Sequence, residues 1–480
     1  MKSLLFKDET MSQWRIPKED IAITGLSCRF AKSPNPSMLW KNIMQRKALF
    51  TPFEKDKLRR ESLRQNVFDR PYPVNGARLE ELYACNPSDQ YFPRKINPGE
   101  NKDVFFAVQL AIDALRDTGT SISSLPTDRV SLRLGYAPPF NTATVNWMQH
   151  TAFIGQTMDI IRNFFPTADN SQIESIRKQL LQSLPEAAPY SFISALGCSL
   201  TAWTAHLLGF AGPAFVLDAG FVSGLQALQG AIDDLLLHRS DIALAGAVQP
   251  PLNRSVLQGI SGALTFSRKE DLQPFSREAD GSLPGEGGAV FVLKRMKDAL
   301  RQNDRIYAVI RSTGIAAASI DQHQRIPTPE RLTRSITRAL HAADLTQDAV
   351  QLIEAHGSGV PHSDQTEISV LQDIFSERSP LTQRIGIGSV KGNIGHTLWA
   401  SSAAGIMKAA LCLYHRVLAP NVQIDKPHLT FQSANSPLYL IQDARPWIRE
   451  SVDLPRRACV TAIDYTGTCA AAILEEYVEQ

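Results

Sequence analysis

The chain has 480 residues, 43% of them hydrophobic and 20% charged, enough for one large two-lobed unit or two to three smaller domains. A formal net charge of +2 gives no field for gripping nucleic acid, and no apolar run suits a secretory signal or a membrane span. Six cysteines at 28, 85, 198, 412, 459 and 469 have no CxxC spacing, so reduced thiols in a soluble, cytoplasmic protein are expected.

In chain order, residues 1–19 read as a polar N-terminal arm and Ile21–Cys28 as a short apolar strand, with a helix starting at Ser37. The basic run Lys55–Arg64 is interleaved with acids and reads as a solvated helix face, the alternative being a patch for an acidic partner. Asp103–Gly119 has apolar residues at 104, 105, 108, 112 and 115 and a glycine stop, which predicts an amphipathic helix. Residues 138–190 are mixed and Pro-punctuated and read as a variable insertion of loops and short helices. "FVLDAGFVSGLQAL" (215–228) then gives a strand, a sharp turn and a helix with Leu225, Leu228, Ile232 and Leu235 on one face. Strands over Asp241–Val248, Gly287–Met296, Ile306–Ala316 and Leu352–His356 follow, with a helix over 331–343 between the last two and a small-residue helix near 400–415. Alternating strands and helices in both halves predict an α/β fold with a mostly parallel sheet, although no internal sequence repeat is legible.

Three segments concentrate polar or small residues at strand ends. The first is the elbow, where many enzymes mount a nucleophile, yet its turn holds Gly220 and Phe221. The second is Glu354–Asp364, which delivers His356 into a Gly-rich turn, and the third is Gly388–Gly405, with Lys391 and His396 ahead of a small-residue helix. A histidine among small residues lets a substrate approach closely, and neutral imidazole N–H groups can stabilise an oxyanion. The competing reading is two histidines satisfied within a core. Metal binding is the weaker chemistry, because the spacing gives no HxxxH pair and no acidic ligand pattern. "LPGEGG" (283–288) precedes a strand instead of opening a helix, which suits a tight turn better than a phosphate loop.

Together these segments resemble the ketosynthase family: β-ketoacyl-acyl-carrier-protein synthases and polyketide synthase condensing domains of thiolase fold. The resemblance runs from about residue 20 to 476. It rests on "IAITGLSCRF", "FSREADGSLPGEGG", "EAHGSGV", "GSVKGNIGHTLWASSAAGIMKA" and "TGTCAAAILEE", the block around Lys391 and His396 being the most specific. It implies a five-layered α-β-α-β-α core of two similar βαβαβαββ halves, 20–285 and 286–480. His356 and His396 would hold a malonyl thioester carbonyl and assist decarboxylation, with Lys391 organising them. The family's nucleophile motif V-D-T-A-C-S-S-S-L aligns with "LDAGFVSGL" so that Phe221 falls on the cysteine. Phenylalanine abolishes covalent catalysis. Ser223, on another helix face, is a poor substitute.

Other departures point the same way. The family's GTNAH becomes Gly467–Ala471, the gating G-F-G/S becomes Asp464-Tyr465-Thr466, and the acid after the EAHGTGT turn is best matched by Asp364. Gly220, Tyr465, Thr466 and Cys469 are therefore candidates for the tunnel and gate. Cys469 also lies where thiolases carry a second catalytic cysteine, although a small residue in a tight loop explains it too. The resemblance implies no bound cofactor: phosphopantetheine would arrive on an acyl carrier protein. Two functions compete, a non-condensing partner resembling a chain length factor and a malonyl-carrier decarboxylase. The implied partners are an active ketosynthase in a heterodimer, or a second copy in a homodimer.

Overall fold

A computed structural model describes residues 19–52, 75–79, 102–137, 142–184, 193, 195–252, 254–261, 264–317, 329–376, 383–449, 451 and 454–479. The run Lys55–Arg64 and all of the N-terminal arm but Glu19 lie outside these residues.

Eleven strands form one sheet: β1 (Ile21–Phe30), β2 (Val130–Gly135), β3 (Ala214–Leu217), β4 (Ile242–Gln249), β5 (Gly287–Arg295), β6 (Ala308–Ala316), β7 (Leu352–Glu354), β8 (Ile385–Gly388), β9 (Leu438–Leu440), β10 (Arg457–Ile463) and β11 (Cys469–Glu475). Their spatial order is β9-β8-β7-β10-β11-β6-β1-β5-β4-β2-β3. The order contains a duplication that the sequence hides. In β1 to β5 the first strand pairs antiparallel with the fifth, the fifth antiparallel with the fourth, the fourth parallel with the second and the second parallel with the third. The set β6, β7, β8, β10, β11 repeats that scheme, and β9 extends its edge. The two sets meet where Ile21–Ile23 pairs antiparallel with Ala308–Ile310.

The sheet is thus mixed, not mostly parallel. Alternating elements force parallel neighbours only where a helix crosses over. The β10–β11 connection is a five-residue turn, and the chain between β4 and β5 returns antiparallel, so each set closes on a reversal.

Among the described residues, the longer helices that cover the strands are α1 (Lys102–Asp117), α4 (Ser199–Leu208), α5 (Ser223–Leu236), α6 (Pro329–Ala342), α7 (Pro361–Ser376) and α8 (Ser401–His415). Residues of α1 and α4 pack on Leu132, Leu134, Leu244 and Val248 in one outer core, and residues of α6 and α7 pack on Ile353, Ile387, Cys459 and Ile473 in the other. Between them, α5 and α8 share a central core with Ala243, Ala245, Ala247, Val460 and Ala472. Successive residues of β4 and β10 therefore feed different cores, as period-2 alternation requires of strands covered on both faces. The expected α-β-α-β-α layering results.

In the variable insertion, α2 (Ile154–Phe164) and α3 (Asn170–Ser183) are longer than the short helices expected there, and they pack on each other through Ile154, Met158 and Ile173. No helix among the described residues is long and apolar enough to cross a membrane.

Candidate active site

Three loops converge on two histidines whose rings lie 5.3 Å apart at 74°. His356 leaves the end of β7, and the acid three residues into the next turn of α7, Glu367, fixes its backbone. Glu367 accepts the N–H groups of His356 at 2.9 Å and Gly357 at 2.8 Å, together with the Thr461 hydroxyl at 2.6 Å. Gly357 and Gly359 take positive φ, which permits the sharp exit. Asp364 closes the same turn by accepting from Ser358, Gly359 and Phe275 N–H groups, and burial pushes its carboxyl up to about 7.

His396 stands not at a strand exit but after a single helical turn, Lys391–Ile394. The "LPGEGG" segment straps it in place: His396 N–H donates to Leu283 at 2.7 Å, and the His396 carbonyl accepts from Gly285 at 2.9 Å. Glu286 anchors the strap by accepting N–H groups from Leu79 and Leu252. The tight turn expected there is thus a positioning element for a histidine.

Both imidazoles are held through Nδ1. Ile463 N–H donates to His356 Nδ1 at 3.3 Å and Leu398 N–H to His396 Nδ1 at 3.1 Å, so each neutral ring carries its proton on Nε2. Burial, reinforced by the nearby Lys391 charge, holds both rings well below the usual histidine range. His396 Nε2 is fully buried and has no hydrogen-bond partner among the described residues. Two neutral rings 5.3 Å apart, each with an Nε2–H donor, have the chemistry that a carbonyl oxygen gaining negative charge requires.

Lys391 is buried nearby. Burial lowers it to about 8, while Glu354, Glu367 and Asp364 pull it upward. Glu354 itself pairs with Lys408 of α8 at 2.8 Å, both buried, and accepts the Val390 N–H at 2.6 Å. That pair ties β7 to the central helix and to the loop carrying Lys391.

The elbow between β3 and α5 packs against His396. Phe221 is buried, with its ring 4.4 Å from the His396 ring and 5.4 Å from that of Tyr465. It packs with Leu252, Val256, Leu257, Leu264 and Leu398 in a small apolar cluster. Tyr465 is half-exposed, so the stack Tyr465–Phe221–His396 runs from the surface to the buried donor. Ser223 is buried; its hydroxyl donates to the Gly220 carbonyl at 2.6 Å and accepts Ala219 N–H at 2.9 Å, and this cap leaves it no nucleophilic role. Asp218 accepts the Trp399 indole N–H at 2.8 Å. Thr466 donates its hydroxyl and its N–H to Asp464.

Cys469 does not join this group. It begins β11 in the outer core of the second set, its thiol donates to the Gly467 carbonyl, and burial pushes it up to about 12. Such a thiol is inert. Cys28, Cys412 and Cys459 are buried as well, with their thiols raised by burial. No cluster of potential metal ligands occurs among the described residues.

Sequence reading missed Glu367, Thr461 and Trp399, and it noted Asp464 only as a departure. Apart from Thr466 beside Asp464, their partners are 10 to 243 residues away, beyond any local pattern. The acid Glu367, one helical turn after Asp364 on α7, was the one available signal.

The family model for the β-ketoacyl synthase N-terminal domain matches residues 18–299, and that for the C-terminal domain matches residues 307–425. Polyketide synthase PksL of Bacillus subtilis (strain 168) is 28% identical over 474 residues, 96% of this chain and 9% of that protein. A mycocerosic acid synthase-like polyketide synthase of Mycobacterium tuberculosis is 35% identical over 291 residues, 60% of this chain and 14% of that protein. The chain therefore spans a small part of the length of these relatives. The ketosynthase from module 6 of the bacillaene synthase from Bacillus subtilis 168 superimposes with a TM-score of 0.78 at 25% identity, covering 96% of this chain and 73% of that one. With both domain families matched in order along a thiolase-like fold, this chain belongs to the β-ketoacyl synthase family.

Proposed function

We propose that this chain is a non-condensing ketosynthase-like component of a polyketide or fatty-acid synthase, a partner resembling a chain length factor. One observation carries the reading: at the elbow, a phenyl ring packed between His396 and Tyr465 stands where the family motif places the thiol. A condensing enzyme parks its acyl chain on that sulfur. Without it, the apolar cluster around Phe221 can shape the end of a neighbouring tunnel but cannot hold an acyl intermediate. The open edge of β3, which ends the sheet and leaves Phe215 exposed, offers a surface for an active ketosynthase or a second copy. The substrate side would be an acyl thioester on the phosphopantetheine arm of an acyl carrier protein.

A second reading is supported by the unpartnered Nε2–H of His396. Decarboxylation of a malonyl thioester needs an oxyanion site and no thiol, and two neutral Nε2–H donors would meet that need. One assay separates the readings. The purified chain is incubated with malonyl-loaded carrier protein, alone and then with a candidate ketosynthase. Inertness alone, with a stable heterodimer whose product length changes on mutating Phe221, is expected. Acetyl-carrier formation abolished by His396→Ala would reverse the order of the two readings.

A further inference from the structure

Asp464 opens the turn between β10 and β11, and its side chain reaches the elbow. Its Oδ1 accepts the Phe221 backbone N–H at 2.8 Å, while Oδ2 accepts the Thr466 N–H at 2.9 Å and the Thr466 hydroxyl at 2.5 Å. The carboxylate fits because residue 220 is glycine. A Cβ there would stand 1.9 Å from Oδ1, and the Gly220 φ of +59° favours glycine as well. Asp464 is itself buried, at 2% exposure. Placing a carboxylate in so little space requires the three donors that hold it.

The occupied N–H matters for acyl transfer. A nucleophile on a strand-to-helix elbow attacks a carbonyl lying over the first turn of the helix. The oxygen that gains charge there is stabilised by free backbone N–H groups at that helix start. Here the N–H of residue 221 is already satisfied, and the group beside it is an acceptor that repels an oxyanion. We propose that Asp464 is a second lock on the elbow, independent of the missing thiol: it withdraws the donor that an acyl-transfer transition state would use. The inference rests on the reading that residue 221 occupies the nucleophile position.

The test restores the thiol with and without the lock. In Phe221→Cys, the thiolate sulfur would bond to the acyl carbon of hexanoyl-pantetheine and break the bond from that carbon to the pantetheine sulfur. The departing pantetheine sulfur leaves as a thiolate and takes up the proton lost by the attacking thiol. Acyl-enzyme is read by intact mass, and thiol access by iodoacetamide alkylation. Phe221→Cys/Asp464→Gly is expected to acylate at least about 100-fold faster than Phe221→Cys, the usual worth of one oxyanion donor. Should Asp464→Gly fail to fold, Phe221→Cys/Asp464→Ala carries the same test, because alanine also removes the acceptor without adding turn flexibility. Equal acylation rates with and without the lock would overturn the proposal. If neither thiol variant is acylated although both are alkylated, residue 221 is not the nucleophile position, and the lock falls with that reading.

Discussion

At the scale of single residues, the site is governed by protons that burial prevents from binding. His356 and His396 are held neutral far below their ordinary range. As pH falls below about 6.5, an unfolded chain binds a proton at each histidine while the native pair does not. The unfolded state therefore gains protons first, and stability drops on acidification by up to about 1.4 kcal/mol per pH unit for each ring. Asp364 works in the opposite sense: its carboxyl, raised to about 7, holds its proton longer in the native state and favours folding as pH falls from 7 towards 4. Subtraction isolates the histidines. Urea denaturation from pH 7 to 5 is expected to give a shallower loss of stability for His356→Gln/His396→Gln than for the unaltered chain. Parallel curves would mean that the pair is already protonated in the folded protein.

At the scale of elements, the site depends on how closely α5 and α8 approach. A Cβ on Gly224 would lie 2.8 Å from the Ala403 nitrogen and the Ser402 hydroxyl oxygen, and that hydroxyl accepts the Leu225 N–H at 3.2 Å. Small residues at the crossing bring the elbow and the helix after His396 together. Gly224→Leu is expected to cost roughly 2–3 kcal/mol by overpacking, read from the urea midpoint. Gly155 in α2 is the control, since nothing lies within 4 Å of its Cβ position. Gly155→Ala is expected to stabilise by roughly 0.5–1 kcal/mol through helix propensity alone. If both substitutions were neutral, the central crossing would be looser than the contacts indicate.

At the scale of the whole molecule, β3 ends the sheet on one side and is the edge through which the proposed pairing would run. The carbonyls of Pro213 and Leu217 accept N–H groups from Leu132 and Tyr136 in and beside β2, so by strand alternation Ala214 and Val216 turn their polar groups outward. Val216→Pro removes an outward N–H while leaving the β2 ladder intact. If the proposed pairing runs through this edge, the substitution is expected to weaken association with the proposed partner, an active ketosynthase or a second copy, at least tenfold in sedimentation experiments, with little change in melting temperature. Unchanged association would move the proposed interface away from this edge.

Much of this was legible in one dimension. The blocks around His356 and around Lys391 and His396 are local, with motif residues within a few positions of each other, so the family and the two histidines follow from sequence alone. The proposed placement of Phe221 at the nucleophile position likewise rests on the spacing of Asp218, Ser223 and Leu225. Other features depend on contacts between distant segments. The repeated strand order survives although the two halves share no visible repeat, because a fold constrains burial pattern and pairing more tightly than residue identity. The sheet proved mixed because chain reversals between strands leave no mark on hydrophobic periodicity. Only tertiary structure could reveal that Cys469 faces an outer core, that "LPGEGG" straps His396, and that Asp464 reaches the Phe221 N–H across 243 residues. Sequence by itself determined which residues the elbow carries. The three-dimensional packing decided what meets them, because a hydrogen bond between segments so far apart is set by the fold and not by spacing along the chain.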